Sequence, residues 1–106
     1  MGRNSRSKPI RLAEKLRQIR EGLNLSQDAM LLHLGLSEME GYERSVISAF
    51  ELDKREPDLS VILLYAKAAN IFVEVLIEDS TDLPSKIPAT QKSEGVKFNK
   101  PKTPQK

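Results

Sequence analysis

Few residues of this chain have side chains able to do chemistry. His33 is the single histidine, set between Leu32 and Leu34, and the 106 residues contain no cysteine and no tryptophan. A thiol nucleophile, a disulfide framework and a cysteine-based zinc site are therefore excluded, and one imidazole does not build a metal centre. Asp28, Glu38 and Glu40 are carboxylates without a nucleophile, a metal set or a glycine-rich phosphate loop beside them, so they form no catalytic constellation. No enzymatic activity, metal or cofactor is expected. The cations are more informative. Residues 1–9 carry Arg3, Arg6 and Lys8 and no acid, while residues 81–106 carry six lysines against Asp82 and Glu94. Residues 10–80 lie between these blocks with 8 basic and 13 acidic groups. Basic arms around an acidic centre suit a polyanionic partner, although solubilising ends have the same composition.

The elements that must position these groups follow from patterning. A chain of this length makes one domain at most. No run approaches a membrane span, and Met1–Pro9 lacks the apolar stretch of a secretory signal, so a cytoplasmic, non-membrane protein is expected. Residues 81–106 hold four prolines, many Lys, Ser and Thr, and few large apolar groups. Such a segment buries too little surface to offset a backbone ordering cost of about 1–2 kcal/mol per residue, which predicts a disordered tail. The expected division is a flexible basic arm at 1–9, a folded unit at 10–80 and a Lys/Pro-rich tail at 81–106.

Within 10–80 the period is helical. Leu12, Leu16, Ile19 and Leu23 form one stripe of a first helix over about 10–23, with Arg11, Glu14, Lys15, Gln18 and Glu21 on its other side. Asn24 suits the left-handed stop. Ser26 is a natural N-cap for a second helix at 27–34, and Leu25 and Met30 stand at hydrophobic-staple spacing. Gly35 closes that helix, and 37–44 reads as a turn. A third helix at about 44–52 turns Ile47 and Phe50 inward. Helical geometry then turns Arg44, Ser45, Ser48, Ala49 and Leu52 outward. Asp58 caps a fourth helix with Leu59, Ile62, Leu63, Ala66 and Ala69 buried, and Asn70 ends it. Residues 71–78 form a short fifth helix, although their Val, Ile and Phe content also suits extended chain.

Two short helices joined by a glycine-containing turn are the skeleton of a helix-turn-helix. Leu-Asn-Leu-Ser-Gln (23–27), Leu-Gly-Leu-Ser (34–37), Val-Ile-Ser-Ala-Phe-Glu (46–51) and Lys-Arg-Glu-Pro (54–57) follow in one order. The series closely resembles the Cro/cI-type (XRE-like) helix-turn-helix family over about 11–79. The resemblance implies an all-α, five-helix, lambda-repressor-like fold and a sequence-specific, repressor-like transcriptional regulator. It places Ser26 and Gln27 at the start of the second helix, where the glutamine meets a phosphate or a base. It also places Arg44, Ser45, Ser48, Ala49 and Leu52 in the major groove. Chemically, Ser48 can bond a base edge, Ala49 can touch a thymine methyl, and Arg44 can reach guanine or phosphate. Lys54 and Arg55 are suited to clamping phosphates, and the amides at the second helix's start add a further anion contact. Arg3, Arg6 and Lys8 resemble the N-terminal arms of some phage repressors. Arg20 matches the first-helix arginine that grips the family's glutamate, here Glu51, in a bidentate pair.

The implied partners are double-stranded DNA and a second copy of the chain, since one unit reads about half an operator. Apolar groups around helix five (Ile71, Phe72, Val73, Val75, Leu76, Ile77) exceed what one small core needs, and some of them are expected to form the dimer contact. The alternative is a protein-interaction module, such as the antitoxin of a toxin–antitoxin pair, whose basic tail folds on a small acidic protein. Three positions depart from the family. Gly35 and Ile47 are twelve residues apart, about twice the usual interval, and the surplus within 37–44 carries Glu38, Glu40 and Glu43. Leu31 replaces a small residue of the second helix, and Asp53 replaces the glycine after the third. His33 is expected at the surface, Tyr42 as an anchor of the turn, and Tyr65 at the edge of the core.

Overall fold

The computed structural model describes residues 9–97. Arg3, Arg6 and Lys8, and the N-terminal arm expected of them, lie outside the described residues. Five helices follow in order: α1 (Leu12–Gly22), α2 (Gln27–His33), α3 (Arg44–Glu51), α4 (Leu59–Ala69) and α5 (Val73–Ile77). Two short strands, β1 (Thr81–Asp82) and β2 (Val96–Lys97), pair antiparallel, with Thr81 opposite Lys97 and Asp82 opposite Val96.

The helix ends show why the elements stop where they do. After α1, the Asn24 amide bonds Glu21 O and the Leu25 amide bonds Arg20 O. After α2, Gly35 and Leu36 do the same to Leu32 O and Leu31 O, and after α3, Asp53 and Lys54 do so to Phe50 O and Ala49 O. These are paired Schellman bonds, and each needs a residue with positive φ. Asn24, Gly35 and Asp53 supply it at 62°, 77° and 61°. Asp53 therefore does the work of the glycine it replaces. Asn70, at 59°, ends α4. At the other end of α2, Ser26 Oγ accepts from the Ala29 amide at 3.0 Å, so one otherwise unpaired helix donor is satisfied.

One core joins all five helices: Leu12, Leu16 and Ile19 from α1, Met30 and Leu31 from α2, Val46, Ile47 and Phe50 from α3, then Val61, Ile62, Tyr65, Ala66 and Ala69, with Ile71, Val75 and Leu76. Four expectations need correction. Leu59 and Leu63 are exposed, at 79% and 43%, while Val61 and Tyr65 are buried in their place. α4 is apolar almost all round, so its sequence leaves open which flank of the Ile62–Ala66–Ala69 line faces inward. Tyr65 is at 0% exposure, deep in the core and not at its edge. Lys15 is also at 0% exposure. It stands three residues after Leu12 and four before Ile19, on the buried stripe. Ile71, Val75 and Leu76 fill this same core, so of the apolar residues around α5 only Phe72, Val73 and Ile77 keep accessible surface.

The fourth correction concerns the tail. Residues 81–97 return across the domain. The Ala89 amide bonds Ala69 O, the Ser93 amide bonds Asn70 O, and the Phe72 amide bonds Ser93 O. Asn70 Nδ2 donates to Ala89 O at 2.8 Å, and Lys92 lies over the Phe72 ring. Leu83 and Ile87 pack against the core, and a Cβ at Gly22 would come within 2.8 Å of Ile87 Cβ. By itself this segment could bury too little surface to become ordered. The apolar ends of α1 and α4 supply the remaining surface.

Lys15 and Asp79 tie the start of α1 to the end of α5. Lys15 Nζ donates to Val75 O at 2.6 Å and Glu78 O at 2.8 Å, meeting carbonyls at the C-terminal end of α5. Burial, and next the Arg11 charge, push its amine below the ordinary lysine value. The Asp79 carboxylate accepts from the amides of Ile10 and Arg11, both at 3.0 Å. The Ile10 bond is the largest cause holding that carboxyl below its ordinary value.

Candidate nucleic-acid interface

Val46, Ile47 and Phe50 anchor α3 in the core and so fix which side of the helix remains outside. Arg44 and Ser45 are exposed, Ser48 and Ala49 are half-buried, and Leu52 is exposed. α2 packs against α3, with Met30 and Leu31 buried between the helices. Leu31, the oversized residue of α2, is accommodated in the core.

A charge network sets the orientation of the two helices. Arg20 Nε donates to Glu51 Oε2 at 2.7 Å, and Nη2 donates to Oε1 at 3.0 Å. Arg20 Nη1 donates to Leu25 O at 2.9 Å, just ahead of α2. Gln27 Nε2 reaches the same Glu51 Oε1 at 3.3 Å. One guanidinium thus joins α1, the connection into α2, and α3, and one carboxylate orients the first side chain of α2. The pair is largely withdrawn from water, at 16% and 5% exposure. Its hydrogen bond is the main cause raising the Arg20 pKa. Around this network α1, α2 and α3 enclose a shallow depression of about 240 Å³, lined by Arg17, Arg20, Gln27, Ser48, Glu51 and Leu52. Gln27 and Ser48, distant in sequence, are therefore brought together.

The other basic candidates lie beyond α3. Lys54 is exposed, its backbone held by the bond to Ala49 O. The Arg55 guanidinium lies 5.8 Å from the Tyr42 ring centre and 5.9 Å from that of Phe50. Cation–π attraction orients it, and Arg55 becomes more than a point charge. Tyr42 is half-buried against the core, so it anchors the long turn to the end of α3. Leu36 is the turn's buried foot, and Gly41 at φ 88° allows its reversal. Glu38, Glu40 and Glu43 all face solvent, as does His33. Among the described residues there is no group of three or more potential metal ligands, and no helix long and apolar enough to cross a membrane.

A family model described as a helix-turn-helix domain matches residues 13–74, more than half of the chain. The chain belongs to the helix-turn-helix domain family. The matched span runs from α1 into α5, and the five helices fit the all-α DNA-binding fold. No curated protein and no solved structure matches the chain. The place of Arg17 at this site, and the burial of Lys15 at the opposite end of α1, have no local signature in the sequence. By sequence, Arg17 is one of several charged residues of α1. Its place on the Gln27–Ser48 depression depends on how α1 crosses α3, which no short spacing encodes. The charge of Lys15 assigns it to the solvated side of α1, and its burial depends on the carbonyls that the end of α5 supplies from 60 and 63 residues away.

Proposed function

We propose that the chain is a sequence-specific, repressor-like transcriptional regulator that inserts α3 into the major groove of duplex DNA. One observation carries this reading: Arg44, Ser45 and Ser48 face outward on a helix whose opposite side is locked into the core, beside a Gln27 oriented by Arg20 and Glu51. Hydroxyl, amide and guanidinium groups are the donors and acceptors that read base edges. Ser45 and Ser48 take that role, Ala49 and Leu52 make apolar contact, and Ser26, Gln27, Lys54 and Arg55 meet phosphates. Arg3, Arg6 and Lys8 extend the contact along the duplex. The exposed glutamates of the 37–44 turn repel phosphate, which requires the turn to stand off the backbone in the bound state.

Such a domain covers about half of a useful site, so it acts as a homodimer on a pseudo-palindrome, with Phe72, Val73 and Ile77 as the accessible apolar groups for that contact. The bound protein resides in the cytoplasm, on the nucleoid. The competing antitoxin reading drew on a free basic tail from residue 81, and the packing of 81–97 shortens that tail.

Selection from a randomised duplex library tests the proposal. Defined sites should emerge, and affinity for them should fall steeply with salt. Ser48→Arg should change which sites emerge more than it changes the salt dependence. A failure to enrich any sequence, or an equal loss on every sequence after the Ser48 change, contradicts the base-reading role.

A further inference from the structure

The acidic balance of residues 10–80 raises the question of which cations on the α3 side of the domain can hold a phosphate. Arg20 is committed to Glu51 and Leu25 O. Arg17, one turn earlier on α1, stands on the rim of the same depression as Gln27 and Ser48. Its Nε donates to Glu21 Oε2 at 2.9 Å, with the two side chains 62% and 52% exposed. An exposed intrahelical pair of this kind is weak and yields readily to a stronger anion. Among the described residues lining the depression the carboxylate is Glu51, and Arg20 balances it, so the depression does not repel a negative ligand.

We infer that Arg17 is a DNA-phosphate contact, and that the depression between α1, α2 and α3 seats one backbone phosphate beside the base-reading side of α3. The inference rests on the DNA-binding reading above. Arg17 supplies the charge, and the Gln27 amide stands on the same rim as a further donor, with Ser48 left to the bases beside it. Glu21 holds Arg17 when DNA is absent and competes with the phosphate for it.

The test uses the full chain and the duplexes that the wild-type protein selects from the randomised library. Arg17→Gln should weaken binding by a similar factor on all selected sequences. It should also make log K against log salt less steep by about 0.9 per bound protomer, or about 1.8 for the homodimer, one phosphate contact being lost from each copy. Lys92→Gln removes an equal charge from the 81–97 segment and should leave the slope unchanged. Glu21→Gln should tighten binding, and that gain should vanish in the Arg17→Gln background. Melting temperatures of the Arg17 variant and the wild type should agree, which separates contact from fold. An unchanged slope in Arg17→Gln, or a Glu21→Gln gain that survives without Arg17, overturns the inference and leaves the DNA reading intact. If the wild-type chain selects no duplex, both fall together.

Discussion

Each end of α1 is held by an arginine and a carboxylate, and the two contacts behave as different devices. At the C-terminal side, Arg20 and Glu51 are 16% and 5% exposed and also engage Leu25 O and Gln27. At the N-terminal side, Arg11 pairs with Asp82 and donates to Asp79 O at 2.7 Å, with the ion pair at 18% and 36% exposure. Asp79 adds its carboxylate to the amides of Ile10 and Arg11. The first contact lies inside the helix-turn-helix and orients Gln27 beside α3. The second closes the domain by tying the start of α1 to the chain after α5. Burial makes the first hard to lose, since removing one partner strands a charge away from water. The second is shared among several bonds nearer the surface, so each contributes less.

Single substitutions can sharpen or break this contrast. The largest effect is expected from Glu51→Ala, which leaves the Arg20 guanidinium uncompensated and Gln27 untethered. Urea unfolding should show a loss of about 3 kcal/mol, and a midpoint close to wild type would mean that the two ends of α1 are equivalent. Lys15→Met keeps the buried volume and strands the carbonyls of Val75 and Glu78. A loss of about 2 kcal/mol is expected in the same titration.

Asp79→Ala should cost about 1 kcal/mol, the usual scale for a lost cap at a helix start. Its pH dependence carries a definite sign. The folded carboxyl titrates below its ordinary value of 3.8. Its contribution is therefore complete above that value and is lost as pH falls through the folded pKa. The variant should show a shallower acid limb than the wild type, and superimposable limbs would remove Asp79 from the cap. The smallest effect, opposite in sign, belongs to Tyr65→Phe. The Tyr65 hydroxyl is buried without a hydrogen-bond partner among the described residues, and burial pushes its pKa upward. Removing it should leave stability unchanged or raise it by up to about 1 kcal/mol, and a clear loss by thermal melting would reveal a partner.

The helices were legible because their signals are local. Ser26 as N-cap, Asn24 and Asn70 as left-handed stops, and Ile47 with Phe50 as the buried side of α3 all depend on neighbours within a turn or two. The pairing of Arg20 with Glu51 spans 31 residues and entered through the family resemblance, because no local spacing brings α1 to α3. Four features could not be read locally: the inward flank of α4, the burial of Lys15, the position of Arg17 beside Gln27 and Ser48, and the docking of residues 81–97. A helix that is apolar on most sides has no preferred inward direction until neighbours pack on it. A charged amine enters a core only when another helix end aims carbonyls at it. A polar, proline-rich segment orders only when other elements lend it the apolar surface and backbone partners that it lacks. Local chain chemistry therefore set where the helices begin, end and show their apolar stripes. The packing of distant elements set which cations meet which anions, because those distances exist only after the chain has folded.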